Sequence, residues 1–117
     1  MGINITLEAI GGKWKPLLLC YIGKMPMRNG QLLRMIPDIS QKVLTEQLRE
    51  LEGDGIISRK SFSEIPPRVE YYLTEEGKNL RKLLVELSVW GEKRAEKLQN
   101  EGQEIHLVHS KHDGYLD

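Results

Sequence analysis

The sequence contains one cysteine, Cys20, so these 117 residues cannot form an internal disulfide. Chains without disulfides are usual in a reducing compartment, and we therefore expect a cytoplasmic protein. No apolar run approaches the roughly 18 residues that a membrane-spanning helix needs. No basic segment followed by an apolar stretch stands near the N-terminus, so we expect neither a signal peptide nor a membrane partner.

The sequence also lacks an excess of either charge. Lys and Arg together number 17, and Asp and Glu together number 17. A surface that binds nucleic acid must therefore arise from segregation of charges onto one face. The apolar content of 39% and the charged content of 29% are typical of a folded globular chain, and the length of 117 residues predicts one domain.

Motifs for catalysis and for metal binding are missing as well. The sequence has no glycine-rich phosphate loop and no Cys/His metal spacing, so we expect no enzyme, no cofactor and no metal site. His106, His109 and His112 recur every three residues near the C-terminus. No further ligand completes a known site there, and we favour a solvated tail over metal binding or dimer contacts.

The sequence does contain three helix patterns in succession. The first covers residues 6–24, with Thr6 as its expected cap and an interruption at Gly11 and Gly12. The second covers residues 30–36 behind Asn29 as N-cap, and Pro37 ends it.

The third helix lies in the stretch PDISQKVLTEQLRELEGDGIISRK, residues 37–60. Ser40 is its expected N-cap, with Ile39 and Leu44 at the positions of a hydrophobic staple. Glycines bracket its end, where a left-handed cap is expected. Its buried face is predicted from the spacing of Leu44, Leu48 and Leu51. The short connection between the second and third helices indicates a helix-turn-helix.

A β-hairpin and a long helix follow. Residues 56–62 and 68–73 have strand patterning and flank Pro66 and Pro67. Thr74 should then cap a helix that runs to about Gln99. A hairpin directly after a helix-turn-helix predicts a winged helix, of mostly α, α+β class. We expect a single domain over residues 1–117, with a DNA-binding core at 7–74, a dimerisation helix at 75–100 and a tail at 101–117.

Four sequence blocks carry a resemblance to a known family. IGGKWKPLLL, IPDISQKVLTEQLRELEGDGIISRK, IPPRVEYYLTEEGKNL and WGEK occur in this order over roughly residues 7–92. They resemble the HxlR-type winged helix-turn-helix regulators, bacterial relatives of the MarR group. The resemblance implies a homodimeric transcription factor on palindromic operator DNA, often responsive to electrophiles, oxidants or small molecules.

The polar face of the third helix is then expected to contact base pairs in the major groove. The residues predicted to contact DNA are Arg28, Ser40, Gln41, Lys42, Thr45, Arg49, Lys60, Pro67 and Arg68. Glu46 lies on the same face, where it could accept from cytosine or repel non-specific DNA. For Arg68 the alternative is an ion pair with Glu64 or Glu70. For the chain as a whole, the alternative is a protein-interaction module without DNA binding.

The long C-terminal helix has more apolar surface than a small winged domain needs, which predicts a dimer. The expected interface residues are Leu7, Ile10, Leu80, Leu84, Leu87 and Trp90. The alternative is a helix that folds back over its own wing domain. Sensing members of the family that the sequence resembles often have a cysteine ahead of the first long helix. Here the only cysteine is Cys20, which we expect to be a buried core residue without an adjacent cation.

Overall fold

A computed structural model describes residues 1–101 of the chain. Within this range the elements are α1 (Gly2–Ala9), α2 (Trp14–Lys24), α3 (Asn29–Met35), α4 (Gln41–Gly53), β1 (Ile57–Phe62), β2 (Arg68–Leu73) and α5 (Glu75–Asn100). This order confirms the predicted winged helix-turn-helix fold. The three tail histidines, His106, His109 and His112, lie outside the described residues.

Helix α1 begins at Gly2, so the prediction that Thr6 caps it is wrong. The Thr6 hydroxyl instead donates to the carbonyl oxygen of Gly2 at 3.2 Å, within the helix. Gly12 separates α1 from α2 with a φ of +84°, a left-handed conformation that glycine adopts without strain. None of the residues of α1 is buried, although the helix is largely apolar.

Helix α2 lies at the centre of the core, and four of its side chains are almost fully buried. Burial of one large aliphatic side chain stabilises a fold by about 1.5–3 kcal/mol. The α2 core side chains are Leu18, Leu19, Tyr21 and Ile22. The neighbouring elements contribute Leu32, Ile36, Leu44, Leu48, Leu51, Ile57, Leu73 and Leu84. Helices α3, α4 and α5 and the hairpin are therefore all anchored to one apolar centre.

Helix α3 begins one residue earlier than predicted. Its N-cap is Arg28 and not Asn29, and the backbone N–H of Arg28 donates to Oε1 of Gln31 at 2.8 Å. The glutamine side chain reaches back to the cap, so no cap from the Asn29 side chain is needed. Buried Ile36 and Ile39 lie in the short connection to α4.

Both ends of α4 follow the predicted local rules. Ser40 Oγ accepts a hydrogen bond from the backbone N–H of Val43 at 3.1 Å, and the staple residues Ile39 and Leu44 are both buried. After the helix, Gly55 has a φ of +74°, so the left-handed turn is at Gly55. These contacts fix the helix axis relative to the core.

The hairpin pairs Ile57 with Leu73 and continues in antiparallel register to Phe62 and Arg68. Among the described residues the chain also makes a second, very short pairing that the sequence pattern did not predict. The Met27 N–H donates to the Tyr71 carbonyl at 2.9 Å, and the Tyr71 N–H donates to the Met27 carbonyl at 2.8 Å. The wing is therefore tied to the segment between α2 and α3.

Helix α5 is capped as predicted, since Thr74 Oγ1 accepts from the backbone N–H of Gly77 at 3.2 Å. Its inner face packs against α2, with Leu84 buried. Its outer face keeps Leu83, Leu87 and Trp90 exposed. The inner face of α5 therefore packs on its own chain, as the alternative without a dimer expects, whereas its outer face is left uncovered.

Candidate nucleic-acid interface

The outward face of α4 is polar and exposed, while its leucines hold the opposite face in the core. Leu44, Leu48 and Leu51 are 0–1% exposed. The exposed side chains are Gln41, Lys42, Glu46 and Arg49, with Thr45 half-buried beside them. Because the leucines fix the rotation of the helix, this polar face has a defined direction.

The N-terminal end of α4 offers backbone donors. Ser40 satisfies the N–H of Val43, whereas the first N–H groups of any helix have no partner within the helix. The helix dipole makes this end positive, and Lys42 adds a full charge nearby. The end of α4 is therefore suited to an anion such as a phosphate group.

Two side chains of the polar face bond to each other. Gln41 Nε2 donates to Thr45 Oγ1 at 3.0 Å, and Thr45 Oγ1 donates to the Gln41 carbonyl oxygen at 2.9 Å. Both residues are among the predicted DNA contacts. The glutamine amide is thus held in one orientation on the helix surface.

Ion pairs occupy more of the acids than of the bases between residues 28 and 72. Between residues 28 and 72 the sequence has seven basic and seven acidic residues. Four of these acids are in ion pairs, namely Glu50 with Lys15 at 3.6 Å, Glu52 with Arg59 at 3.5 Å, and Glu64 and Glu70 with Arg68 at 3.4 and 3.8 Å. The exposed cations between residues 28 and 72 that have no ion pair among residues 1–101 are Arg28, Arg34, Lys42, Arg49 and Lys60. Asp38, Glu46 and Asp54 are the three acids of the same stretch without an ion pair among residues 1–101, so the cations available to a ligand there outnumber the available carboxylates.

In the wing, Arg68 is engaged by its own hairpin. Its guanidinium lies 4.0 Å from the ring centre of Phe62 and pairs with the carboxylates of Glu64 and Glu70. The 3.8 Å distance from Arg68 Nε to Glu70 is an ion pair but is too long for a hydrogen bond. The structure therefore has the predicted alternative, an internally paired arginine, while Lys60 stays exposed with its ammonium 5.1 Å from the same ring.

Five of the nine predicted contact residues lie on α4 or at its N-cap. These are Ser40, Gln41, Lys42, Thr45 and Arg49. Arg28 lies at the start of α3, Lys60 lies on β1, and exposed Pro67 lies in the wing turn before β2. The charges and hydrogen-bonding groups of α4 are those expected of a recognition helix.

The comparisons with known proteins agree with this geometry. A family model described as HxlR-like helix-turn-helix matches residues 9–99. The chain belongs to the HxlR-like family. The uncharacterised HTH-type transcriptional regulator YkvN of Bacillus subtilis strain 168 is 47% identical over 102 residues, which cover 87% of this chain and 86% of YkvN.

Solved structures of the same fold extend the likeness. The redox regulator HypR in its reduced form matches with a TM-score of 0.80 and 40% identity, covering 86% of this chain and 99% of HypR. The reduced transcriptional regulator YodB of B. subtilis matches with a TM-score of 0.71 and 32% identity, covering 82% of this chain and 94% of YodB. This HxlR-like chain is therefore a transcriptional regulator of the helix-turn-helix type and not an enzyme.

The only cysteine of this HxlR-like chain is a core residue. Cys20 is 4% exposed, and burial raises the pKa of its thiol to about 11, with a smaller opposing effect from Arg81. The expectation that no cation is nearby is wrong, because Arg81 Nε donates to the Cys20 carbonyl oxygen at 3.1 Å. A neutral, buried thiol is a poor nucleophile, in contrast to the cysteines of redox sensors.

The six predicted interface residues divide into two groups. Leu7, Leu87 and Trp90 are 56%, 61% and 68% exposed. Ile10 and Leu84 are buried in the core of their own chain, and Leu80 is half-buried against it. Ile10 and Leu84 also pack within their own chain, and a role at a dimer interface stays a prediction for all six residues.

Sequence reasoning missed two structural contacts of the site. Lys15 is buried, and its ammonium pairs with Glu50 on the recognition helix. Arg81 links α5 to the backbone of α2. Both contacts join residues far apart in sequence, and a lysine in an apolar helix gives no local signal for its partner.

Within residues 1–101 no helix is long and apolar enough to cross a membrane, and no cluster of His, Cys, Asp or Glu side chains could hold a metal ion.

Proposed function

We propose that this HxlR-like chain binds a palindromic operator in double-stranded DNA as a homodimer. Helix α4 lies in the major groove, and the wing of residues 57–73 contacts the minor groove or the backbone. The observation that carries this proposal is the polar face of α4, where Gln41, Lys42 and Arg49 are all exposed. Neither cation has an ion pair among residues 1–101.

The side chains of this face match the chemistry of base edges. Arginine pairs with guanine O6 and N7, and glutamine pairs with adenine N6 and N7. Arg49 and Gln41 have these roles in the proposal. Ser40 and the first N–H groups of α4 contact a phosphate and set the register of the helix.

The wing contributes through Lys60 more than through Arg68. Lys60 is exposed, and a phosphate can approach its ammonium without breaking an ion pair. Arg68 is already neutralised by two carboxylates and stacked on Phe62. We therefore infer that Arg68 stabilises the conformation of the wing. It can contact DNA directly only if its ion pairs with Glu64 and Glu70 break.

Two exposed apolar surfaces support the dimer. On α1, Ile3, Ile5 and Leu7 are 52%, 72% and 56% exposed, and α5 exposes Leu83, Leu87 and Trp90. Contiguous apolar patches of this kind mark interfaces. A groove of about 310 Å³ between α2 and α5 continues from Leu87 and gives a second copy an apolar surface to fill.

A two-fold dimer presents two copies of α4 to the DNA. In helix-turn-helix dimers the two recognition helices lie about 34–36 Å apart and contact successive major grooves. The proposal places this activity in the cytoplasm. The proposal includes an inducer that is a small molecule or an electrophile, and burial raises the pKa of the Cys20 thiol, which disfavours Cys20 as the group that senses it.

The test is selection of bound sequences from a pool of random duplexes, followed by affinity measurements over a range of salt. We expect a palindromic consensus and an affinity that falls steeply with salt, because lysine and arginine contacts release counterions. Arg49→Ala should cost about 1–3 kcal/mol at one base pair of each half-site. The matched control is Lys93→Ala, which removes one positive charge from α5. DNA retention without salt dependence or sequence preference would favour the protein-interaction alternative.

A further inference from the structure

The two hydrogen bonds between Gln41 and Thr45 determine which atoms of these residues remain available. The Thr45 hydroxyl proton is used by the Gln41 carbonyl oxygen at 2.9 Å. The hydroxyl can therefore only accept from the glutamine side chain, and the group that meets it at 3.0 Å must be the NH2 group. The orientation of the amide follows from this network, so the positions of its oxygen and nitrogen are defined.

The atoms left over form a specific pattern. Gln41 keeps its second N–H and its Oε1, which together are one donor beside one acceptor. Adenine presents the complementary pair in the major groove, an N7 acceptor beside an N6 donor. The Thr45 hydroxyl has no proton left to donate to a base, so the group that Thr45 offers to thymine is its methyl group, which suits the methyl of that base.

We infer that Gln41 and Thr45 act as one unit that selects adenine at one base pair and thymine at a nearby base pair. This inference rests on the proposed function and names the bases that this end of α4 prefers. Four residues of helix rise by about 6 Å, and successive base pairs are about 3.4 Å apart. The two contacts therefore fall within about two base-pair steps.

Thr45 is a positioning residue for the adenine contact in this unit. Without its hydroxyl, the Gln41 side chain can rotate among several conformers, and DNA binding must then order it. The glutamine would still reach the groove, but its preference for adenine over other bases would weaken. A purely structural role of Thr45 would alter stability and leave the preference unchanged.

Two substitutions separate the hydroxyl from the methyl group. Thr45→Val keeps the shape and the methyl and removes the hydroxyl, whereas Thr45→Ser keeps the hydroxyl and removes the methyl. Both variants and the parent chain are used to select from a pool of duplexes randomised over about two helical turns. Thermal unfolding monitored by circular dichroism checks that all three are folded.

We expect Thr45→Val to lose about tenfold in adenine discrimination and to keep its thymine preference. Thr45→Ser should show the opposite pattern. Modified duplexes give a second readout: 7-deazaadenine, which lacks N7, should weaken the parent and Thr45→Ser more than Thr45→Val. Deoxyuridine in place of thymine should weaken the parent and Thr45→Val but not Thr45→Ser.

Unchanged adenine discrimination in a folded Thr45→Val variant would overturn the inference while the proposed function stands. Loss of both preferences in both variants would also overturn it, because the two groups would then not act separately. If the parent chain shows no salt-dependent, sequence-selective binding, the proposed function itself fails.

Discussion

Replacing Gly77 with alanine should destabilise the fold, although alanine is the better helix former. Gly77 is buried in the first turn of α5, where a Cβ atom would overlap the carbonyl oxygen of Ile56 and lie 3.2 Å from its carbon. That oxygen also accepts hydrogen bonds from the N–H of Thr74 at 3.1 Å and from its hydroxyl at 3.0 Å. The carbonyl therefore cannot retreat without disturbing the cap of α5.

The expected magnitude follows from competing effects. Alanine gains about 1 kcal/mol over glycine in a helix interior. Overpacking against backbone costs up to about 3 kcal/mol, and disturbance of the Thr74 cap costs about a further 1 kcal/mol. We expect a net loss of about 1–3 kcal/mol in the free energy of unfolding, and a looser attachment of α5 to the base of the wing.

Urea unfolding followed by circular dichroism measures this loss, at one fixed protein concentration because a dimer adds a concentration dependence. Gly53→Ala is the matched control. Gly53 is the last residue of α4 and has nothing within 4 Å of its Cβ position, so alanine there should stabilise by up to about 1 kcal/mol. Equal stability of the two variants would refute the close contact at Ile56.

Three further predictions concern the DNA contacts, the thiol and the dimer. Lys60→Ala should reduce the slope of log affinity against log salt by about one unit. Arg68→Ala should change that slope less, because Glu64 and Glu70 already neutralise Arg68. The same change of slope in both variants would count against an internally paired Arg68. Cys20 should react with iodoacetamide far more slowly in the native chain than in urea at pH 8, because its thiol pKa is about 11, and a native rate equal to the unfolded rate would contradict its burial. The folded chain favours the protonated thiol of Cys20, because burial raises its pKa from 9.0 to about 11. The protonated thiol therefore contributes fully to stability below pH 9.0, and this contribution is lost as the pH rises towards 11. Leu87→Asp should dissociate the dimer in sedimentation equilibrium while circular dichroism stays native, and a dimer that survives would move the interface away from the outer face of α5.

The elements that follow local rules could be predicted from the sequence. Ser40, Ile39 and Leu44 specify the start of α4 through contacts within five residues of one another, and the structure confirms all three. Thr74 caps α5 for the same reason. Thr6 misled the prediction because a threonine within a helix can bond back to the preceding turn, as Thr6 does to Gly2.

Whether a charged side chain forms an ion pair depends on contacts between residues far apart in the sequence, which no local pattern predicts. Whether Arg68 would be an available cation or an internal partner was open in the sequence, and the stacking of Phe62 and the register of the hairpin decide it. Lys15 and Glu50 pair across two helices that are separated by α3. The burial of Leu84 likewise follows from the way α5 packs against α2, which periodicity alone could not distinguish from a dimer seam.

The spacing of two half-sites tests the central claim most directly. The affinity of the parent chain is measured for two duplexes that contain the same selected half-sites, one with centres about 10 base pairs apart and one with about 5 base pairs inserted between them. A two-fold dimer with α4 in successive major grooves should bind the first duplex at least about tenfold more tightly, since the insertion rotates one half-site to the opposite face. Equal affinity for the two duplexes would contradict a dimer that reads both half-sites through α4.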